Sequence, residues 1–89
     1  MDVEWDETKR RSNLAKHGLD LMTGAALFDR RPVLSYPAAR SGEERFVTVG
    51  LLEGEIVAVI WARRVGAIRL ISLRRARDAE KRAYRTHFG

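Results

Sequence analysis

Short apolar runs separated by turn residues fill the second half of the chain. They predict β-strands at 33–36, 46–52, 56–62 and 68–74. Glu53-Gly54 stands between the second and third runs and predicts a tight hairpin turn. The run at 56–62 is apolar on both faces, which is typical of a central strand covered on both sides.

Helical periodicity and end signals mark three further segments. They predict helices at 7–17, 21–28 and 78–87. Asp6 and Asp20 are suited to cap the first two helices at their N-termini, and Gly18 is suited to end the first. The first helix has little apolar surface, so we expect it to lie exposed on the sheet. Residues 3–5 fit either a short strand or the lead-in to this helix.

The order of these elements predicts one α+β domain spanning residues 1–89. Short connections favour a small antiparallel four-stranded sheet, a meander, flanked by two N-terminal helices and one C-terminal helix. Residues 38–42 are expected to form a loop. The chain has no repeat, low-complexity tract or linker that would divide it.

The amino-acid composition excludes several kinds of site and of cellular location. The chain has no cysteine, which excludes disulfides, thiolate metal sites and a nucleophilic thiol. Its apolar runs are too short to span a bilayer, and its acidic N-terminus lacks the apolar region of a signal peptide. These features predict a cytoplasmic protein with no membrane association.

Charge is unevenly distributed along the chain. Residues 1–60 hold eight basic and ten acidic side chains, whereas residues 61–89 hold nine basic and two acidic ones. The asymmetry favours a polyanionic partner, with nucleic acid the leading candidate. A solvated arginine-rich surface that pairs with an acidic protein is the alternative. The strand at 68–74 ends in Arg74-Arg75, and cations at the end of a strand suit phosphate binding.

Several short motifs follow one another along nearly the whole chain. They are Trp5-Asp6-Glu7 with Lys9, Asn13, Lys16-His17-Gly18, Phe28-Asp29, Glu43-Glu44-Arg45, Gly50, Ile68-Arg69, Ile71-Ser72, Arg74-Arg75-Ala76, Glu80 and Tyr84. In order and spacing this set resembles the BrnT-type toxins. Two positions depart from the family pattern: Leu73 replaces the usual alanine, and the loop at 37–40 lacks an acidic residue.

The resemblance implies the toxin of a bacterial type II toxin–antitoxin system. This family is similar to RelE-like endoribonucleases, which have a small antiparallel sheet flanked by helices, cleave RNA and inhibit translation. The resemblance also implies a ribbon-helix-helix antitoxin that neutralises the toxin. Operator DNA would be bound only through the complex, which represses its own operon.

RNA cleavage without a metal requires a base, a cation beside the phosphate and a proton donor. The side chains that could serve as base or proton donor are His17, His87, Lys9, Lys16, Glu43, Glu44, Tyr36 and Tyr84. The candidate catalytic residues are His17, Lys16, Arg45, Arg69 and Arg74. Each has a structural alternative: His17 and Lys16 sit where they would cap a helix or remain solvated, and the arginines have acidic neighbours with which to pair. Arg69, for example, would pair with Glu43 or Glu44.

RNA binding has its own candidates, namely Lys9, Arg75, Tyr84 and Glu44. Glu44 is also a possible base, whereas core packing is the alternative for Tyr84. If the strand continues, Arg74 and Arg75 point to opposite faces, so one of them belongs to the site. The spacing of histidines and carboxylates fits no metal site, and we expect no cofactor. A non-catalytic basic module that binds nucleic acid or an antitoxin, acting as a co-repressor, is the competing function.

Overall fold

The computed structural model describes residues 2–38 and 42–89. In chain order the elements are β1 (Asp2–Glu4), α1 (Glu7–His17), a 3₁₀ helix (Leu21–Phe28), β2 (Val33–Pro37), β3 (Arg45–Leu52), β4 (Glu55–Arg64), β5 (Ala67–Arg75) and α2 (Asp78–Phe88). The loop predicted at 38–42 falls mainly on residues 39–41, which lie outside the described part of the chain.

The sheet has five strands in the order β1-β5-β4-β3-β2. The antiparallel meander of β2 to β5 is confirmed, but the predicted four-stranded antiparallel sheet is wrong as a whole. The additional strand, β1, pairs in parallel with Ala67–Arg69 of β5. A three-residue strand is too short to show a period of its own, and its partner lies more than sixty residues away. The sequence therefore did not decide whether residues 3–5 form a strand or lead into the first helix.

The hairpin between β3 and β4 forms where it was predicted. Glu53 and Gly54 both have positive φ, 49° and 80°, as two-residue hairpin turns of the favoured hand require. β4 is the third of the five strands, so its prediction as the central strand is confirmed. The register pairs Arg45 with Ala62 at one end of the hairpin and Leu52 with Glu55 at the other.

One face of the sheet, the helix-side face, carries the larger core. It is filled by Leu21, Leu27, Val57, Val59, Trp61, Ile68, Leu70 and Leu73. Phe28 meets the Trp61 ring edge-on at 5.3 Å, and Phe46 stacks on it at 4.7 Å. Gly50 has to lack a side chain, because a Cβ there would lie 2.9 Å from atoms of both Leu27 and Val33.

The second helix has the predicted bounds, Leu21–Phe28, but it is a 3₁₀ helix. Thr23 N–H bonds to the Asp20 carbonyl and Asp29 N–H to that of Ala26, each three residues back. Over eight mostly apolar residues, a 3₁₀ helix with a period of 3.0 and an α-helix with a period of 3.6 place nearly the same positions towards the core. The sequence therefore does not distinguish the two types of helix. Gly24 lets this helix lie close to the sheet, since a Cβ there would be 3.2 Å from Val59.

The opposite face, the α2-side face, is only partly covered. Val47, Val49, Ala58 and Ala76 form a smaller buried cluster there, and Tyr84 of α2 packs against it. α2 lies near one end of this face, and the remainder forms an open groove lined by charged side chains. This open part of the sheet is therefore a candidate functional site.

α1 is attached by polar contacts more than by apolar burial. It runs from Glu7 to His17 as predicted, with Asp6 as its N-cap and Gly18, at φ 68°, ending it. Its buried residue is Asn13, whereas Leu14 is 52% exposed. Arg10 fastens the helix to Asp20 through two hydrogen bonds of 2.9 and 3.1 Å.

Asn13 completes the outer edge of β5. Its Nδ2 donates to the carbonyls of Leu19 and Leu73, both at 2.9 Å. Its Oδ1 accepts from Leu73 N–H at 2.9 Å and Ser72 Oγ at 3.1 Å. Because β1 pairs with residues 67–69, the outer edge of β5 at Leu73 has no strand partner within residues 2–38 and 42–89. The Asn13 amide takes the place of that missing strand.

We expect Asn13→Ala to lower the free energy of unfolding by about 2–3 kcal/mol, because it leaves a buried backbone N–H and two carbonyls without partners. Ser12→Ala changes an exposed neighbour on the same helix and should stay within about 0.5 kcal/mol of the wild type. Urea denaturation of both variants measures the difference. Equal stabilities would show that Asn13 does not secure the β5 edge.

Candidate active site

A β-bulge in β5 determines which side chains reach the α2-side face. Ile60 pairs with Ser72, but the next residue, Trp61, pairs with Leu70, so Ile71 is an extra residue in β5. The bulge lets Leu70 and Leu73 both enter the helix-side core. It also brings Arg69 and Arg74, five residues apart, onto the same face.

The open part of the α2-side face forms what we call the sheet groove. Tyr36, Arg45, Arg74 and Arg77 line it, and Val47 and Ile60 form its floor. These residues come from β2, β3, β4, β5 and the connection to α2. The groove thus combines a rigid apolar floor with cationic and hydroxyl groups at its margins.

Glu80 holds the groove together from beneath α2. Its carboxylate is 8% exposed and accepts from Arg74 Nη1 at 2.7 Å and Nη2 at 3.0 Å. It also accepts from the Arg77 backbone N–H at 2.7 Å and from the Tyr36 hydroxyl. The guanidinium of Arg74 is therefore fixed in one orientation. Its Nε–H bonds to no residue in the described part of the chain, and the Arg74 side chain lines the groove.

This network shifts the ionisation of its members. Burial alone would raise the pKa of Glu80, but hydrogen bonds from Arg74, the Arg77 backbone and Tyr36 outweigh it and lower the pKa to about 2. Burial, and then contact with the Glu80 carboxylate, raise the pKa of Tyr36. At neutral pH the site therefore holds an ionised carboxylate, a cationic Arg74 and a protonated tyrosine.

Arg45 belongs to a second ion-pair cluster at the margin of the sheet groove. Glu43 accepts from Arg45 Nη2 at 3.0 Å and from Arg64 Nη2 at 2.8 Å. Hydrogen bonds from Arg64 and then Arg45 lower the pKa of Glu43, which makes it a weak base. Glu44, a predicted RNA-binding residue and possible base, is exposed beside this cluster and does not line the groove.

Arg69 lies on the same face but is paired with a residue that the sequence did not suggest. Its Nη1 lies 2.5 Å from Glu4 Oε2, and the two residues are register partners in the parallel β1–β5 pair. The predicted structural partners were Glu43 and Glu44. The pairing with Glu4 went unrecognised because it depends on β1, which the sequence left undecided.

His17 and Lys16, both predicted to be catalytic, lie outside the sheet groove. With Lys9, Ser12 and Asn13 they form one wall of a second depression, the helix groove, and Ser72 of β5 lies on the other wall. His17 is half-buried, whereas Lys9 and Lys16 are exposed. The structure thus divides the predicted catalytic residues: His17 and Lys16 line the helix groove, Arg45 and Arg74 line the sheet groove, and Arg69 lines neither.

Arg75 and Tyr84, both predicted to bind RNA, have structural contacts. Arg75 faces away from Arg74, as predicted, and donates to the His17 carbonyl at 2.9 Å and to Glu55 at 2.6 Å. It therefore secures the C-terminus of α1. Tyr84 packs on the α2-side cluster, with its ring centroid 5.0 Å from that of Phe88, and lies outside both grooves.

Three residues of the sheet groove were not predicted as site residues. Glu80 was noted only as part of the motif series, Tyr36 only as one of several proton donors, and Arg77 was not singled out. The signal for Glu80 was its place in the first turn of a helix that follows a strand ending in arginine. Its contacts with Tyr36 and Arg74 join three elements and cannot be read from spacing alone.

Across residues 2–38 and 42–89, no group of three His, Asp or Glu side chains is placed to hold a metal ion. None of the helices in the same residues is long and apolar enough to cross a bilayer.

The Glu80 network predicts a specific loss of stability in acid. Because the folded-state pKa of about 2 lies below the ordinary 4.5, the stabilisation is present above pH 4.5 and is lost as pH falls towards 2. The difference in free energy of unfolding between wild type and Glu80→Gln should shrink by about 3 kcal/mol over this range. Urea titrations at each pH measure it.

Arg82→Gln is the matched control, since it removes an exposed charge from the same helix and leaves the network intact. Its free energy of unfolding should change with pH in the same way as that of the wild type throughout the acid range. A Glu80→Gln difference that does not change with pH would contradict the assigned network.

Comparison with known proteins agrees with the motif series. A family model described as "Ribonuclease toxin, BrnT, of type II toxin-antitoxin system" matches residues 5–80. A search of curated proteins finds no match. The matched region begins at Trp5, includes both grooves and ends at Glu80. With most of its length covered by this model, the chain belongs to the BrnT family of ribonuclease toxins of type II toxin–antitoxin systems.

Proposed function

We propose that this toxin is an endoribonuclease whose catalytic centre is the sheet groove, and that it cleaves RNA by electrostatic and acid–base catalysis without a metal. Membership of the family implies an RNA substrate and a cognate antitoxin. The observation that carries the assignment is the Arg74 guanidinium, held by the buried Glu80 beside Arg45 and Tyr36 in an open groove.

The charge balance of the groove suits a phosphodiester. Among the described residues, Arg45, Arg64, Arg74 and Arg77 are opposed by Glu43 and Glu80, which leaves an excess of two positive charges. Arginine remains charged at all relevant pH values, and its planar fork matches phosphate oxygens. Cations held in a fixed orientation stabilise a transition state because they need not reorganise as negative charge develops.

Cleavage would proceed by attack of the RNA 2′-oxygen on the adjacent phosphorus. The 2′-oxygen–phosphorus bond forms as the bond to the 5′-oxygen breaks, giving a 2′,3′-cyclic phosphate and a 5′-hydroxyl. Arg74 and Arg45 would neutralise the non-bridging oxygens, whose charge increases in the transition state. Two guanidinium groups can therefore take the role that a metal ion plays in other nucleases.

The two proton transfers have different candidates. Tyr36 remains protonated at neutral pH, and in the free protein its hydroxyl donates to Glu80. On RNA binding this hydroxyl would turn from Glu80 and donate its proton to the departing 5′-oxygen, with Arg74 offsetting the resulting tyrosinate. His17 is the candidate base, because histidine exchanges protons readily near neutral pH. It lines the helix groove, which adjoins the sheet groove at the Ile60–Ser72 pair.

Arg69 and Lys16 are proposed to assist by charge. Arg69 shares the α2-side face with Arg74, and Lys16 extends the positive potential along α1. Lys9 is proposed to contact the RNA backbone. Glu44, Arg75 and Tyr84 remain proposals for RNA contact at the periphery, outside both grooves.

Neutralisation by an antitoxin follows naturally from an open catalytic groove. We propose that a ribbon-helix-helix antitoxin blocks the sheet groove, and that operator DNA is bound only by the resulting complex. The toxin would act in the cytoplasm, where messenger RNA is translated. The competing function, a non-catalytic basic module, predicts binding of RNA or antitoxin without cleavage.

Arg74→Lys should lower kcat/KM for RNA cleavage by roughly 100- to 1,000-fold, since lysine retains the charge but loses the forked contacts. Arg45→Ala should lower it by a similar factor, and Tyr36→Phe by about 100-fold or more if its proton is used. The assay follows a defined messenger RNA with EDTA present, first alone and then with translating ribosomes.

Arg63→Ala is the matched control, because Arg63 is exposed on the helix-side face, where its Cζ lies 5.3 Å from the centre of the Phe46 ring. Its cleavage rate should equal that of the wild type. Full activity in the Arg74→Lys and Arg45→Ala variants would remove the catalytic centre from the sheet groove. A folded wild type that binds RNA without cleaving it, even with ribosomes, would favour the non-catalytic module.

A further inference from the structure

The helix groove differs from the sheet groove in how its cations are balanced. In the sheet groove, Arg45 and Arg74 each pair with a carboxylate, whereas Arg77 forms no ion pair within the described residues. Lys9 and Lys16 are exposed, and neither forms an ion pair with any residue of the described chain. None of the described Asp and Glu residues lines this groove. It is thus a concave surface whose two lysines form no ion pair with the described residues, and charge complementarity calls for an anion.

The lining residues present a continuous row of hydrogen-bond donors. Lys9, Ser12 and Lys16 recur at helical spacing along one stripe of α1. The Asn13 amide on the same stripe is fully used by β5, so it fixes the distance between helix and strand. The buried Asn13 therefore fixes the width of the groove, whereas the hydrogen-bond donors that line the groove lie on the surface.

The two grooves are neighbours on the same strand. Ser72 lines the helix groove, and its register partner Ile60 forms part of the floor of the sheet groove. Arg74, two residues further along β5, lies roughly 7 Å from Ser72 along the strand. Successive phosphates of an extended RNA strand are spaced by a similar length. A single strand with one phosphate at Arg74 would thus bring a neighbouring phosphate to the helix groove.

We propose that the helix groove is a binding site for single-stranded RNA, in which Lys9 and Lys16 hold backbone phosphates that flank the scissile one. The inference rests on the proposed function, because it takes the scissile phosphate to lie at Arg74. Lysine binds phosphate as a point charge and tolerates variation in the strand, which suits a backbone contact that carries no sequence information.

The test measures RNA affinity separately from cleavage. A fluorescent 2′-O-methyl oligoribonucleotide cannot be cut, because its 2′-oxygen is blocked. Its affinity is measured as salt is raised from about 50 to about 200 mM. Losing two phosphate contacts should reduce the slope of log affinity against log salt by about 1.4 in Lys9→Ala/Lys16→Ala, so the wild type loses about sevenfold more affinity than the variant over this range.

Arg11→Ala/Arg82→Ala removes two exposed charges from outside both grooves and serves as the control. It should keep the wild-type salt slope. If the lysine variant has the same slope as this control, the helix groove does not bind RNA. The proposed function survives that result provided that the wild type cleaves RNA and Arg74→Lys does not.

A polyglutamate peptide of matched charge tests whether the helix groove binds an acidic protein segment instead of RNA. It should compete for the groove far less effectively than the oligoribonucleotide does. Equal competition that is lost in Lys9→Ala/Lys16→Ala would assign the groove to an acidic protein segment and overturn the RNA assignment. Absence of cleavage by the wild type under all conditions would instead overturn the proposed function on which the inference rests.

Discussion

The burial of the Glu80 carboxylate is the constraint on which the site depends. A carboxylate taken out of water must be neutralised and fully hydrogen-bonded, and Arg74, Tyr36 and the Arg77 backbone together satisfy it. These partners come from β5, β2 and the start of α2. One charge therefore fixes both the position of α2 on the sheet and the direction in which Arg74 and Tyr36 point.

β5 links this constraint to the rest of the fold. Its bulge at Ile71 allows Leu70 and Leu73 to enter the core while Arg69 and Arg74 share the opposite face. Where β1 ends, Asn13 of α1 satisfies the exposed edge of β5. The strand is held on both sides, so a helix with little apolar surface still has a defined place and the two grooves stay adjacent.

The features that depended on local chemistry were predicted from the sequence. The ends of α1, the cap at Asp20 and the turn at Glu53-Gly54 each follow from residues within a few positions of one another. The parallel strand β1 and the bulge did not follow, because they depend on pairing between distant segments. The residues of the sheet groove could be proposed only in part for the same reason. Arg45 and Arg74 were proposed from their residue type, but the contact between Tyr36 and Glu80 spans 44 positions.

The central claim is that the scissile phosphate lies on the sheet between Arg45 and Arg74. The most direct test is an experimental structure of the toxin bound to a 2′-O-methyl oligoribonucleotide, with the RNA traced through both grooves. We expect one phosphate within hydrogen-bond distance of the Arg45 and Arg74 guanidinium groups and of the Tyr36 hydroxyl. RNA that leaves the sheet groove empty, with its phosphates only against α1, would contradict it.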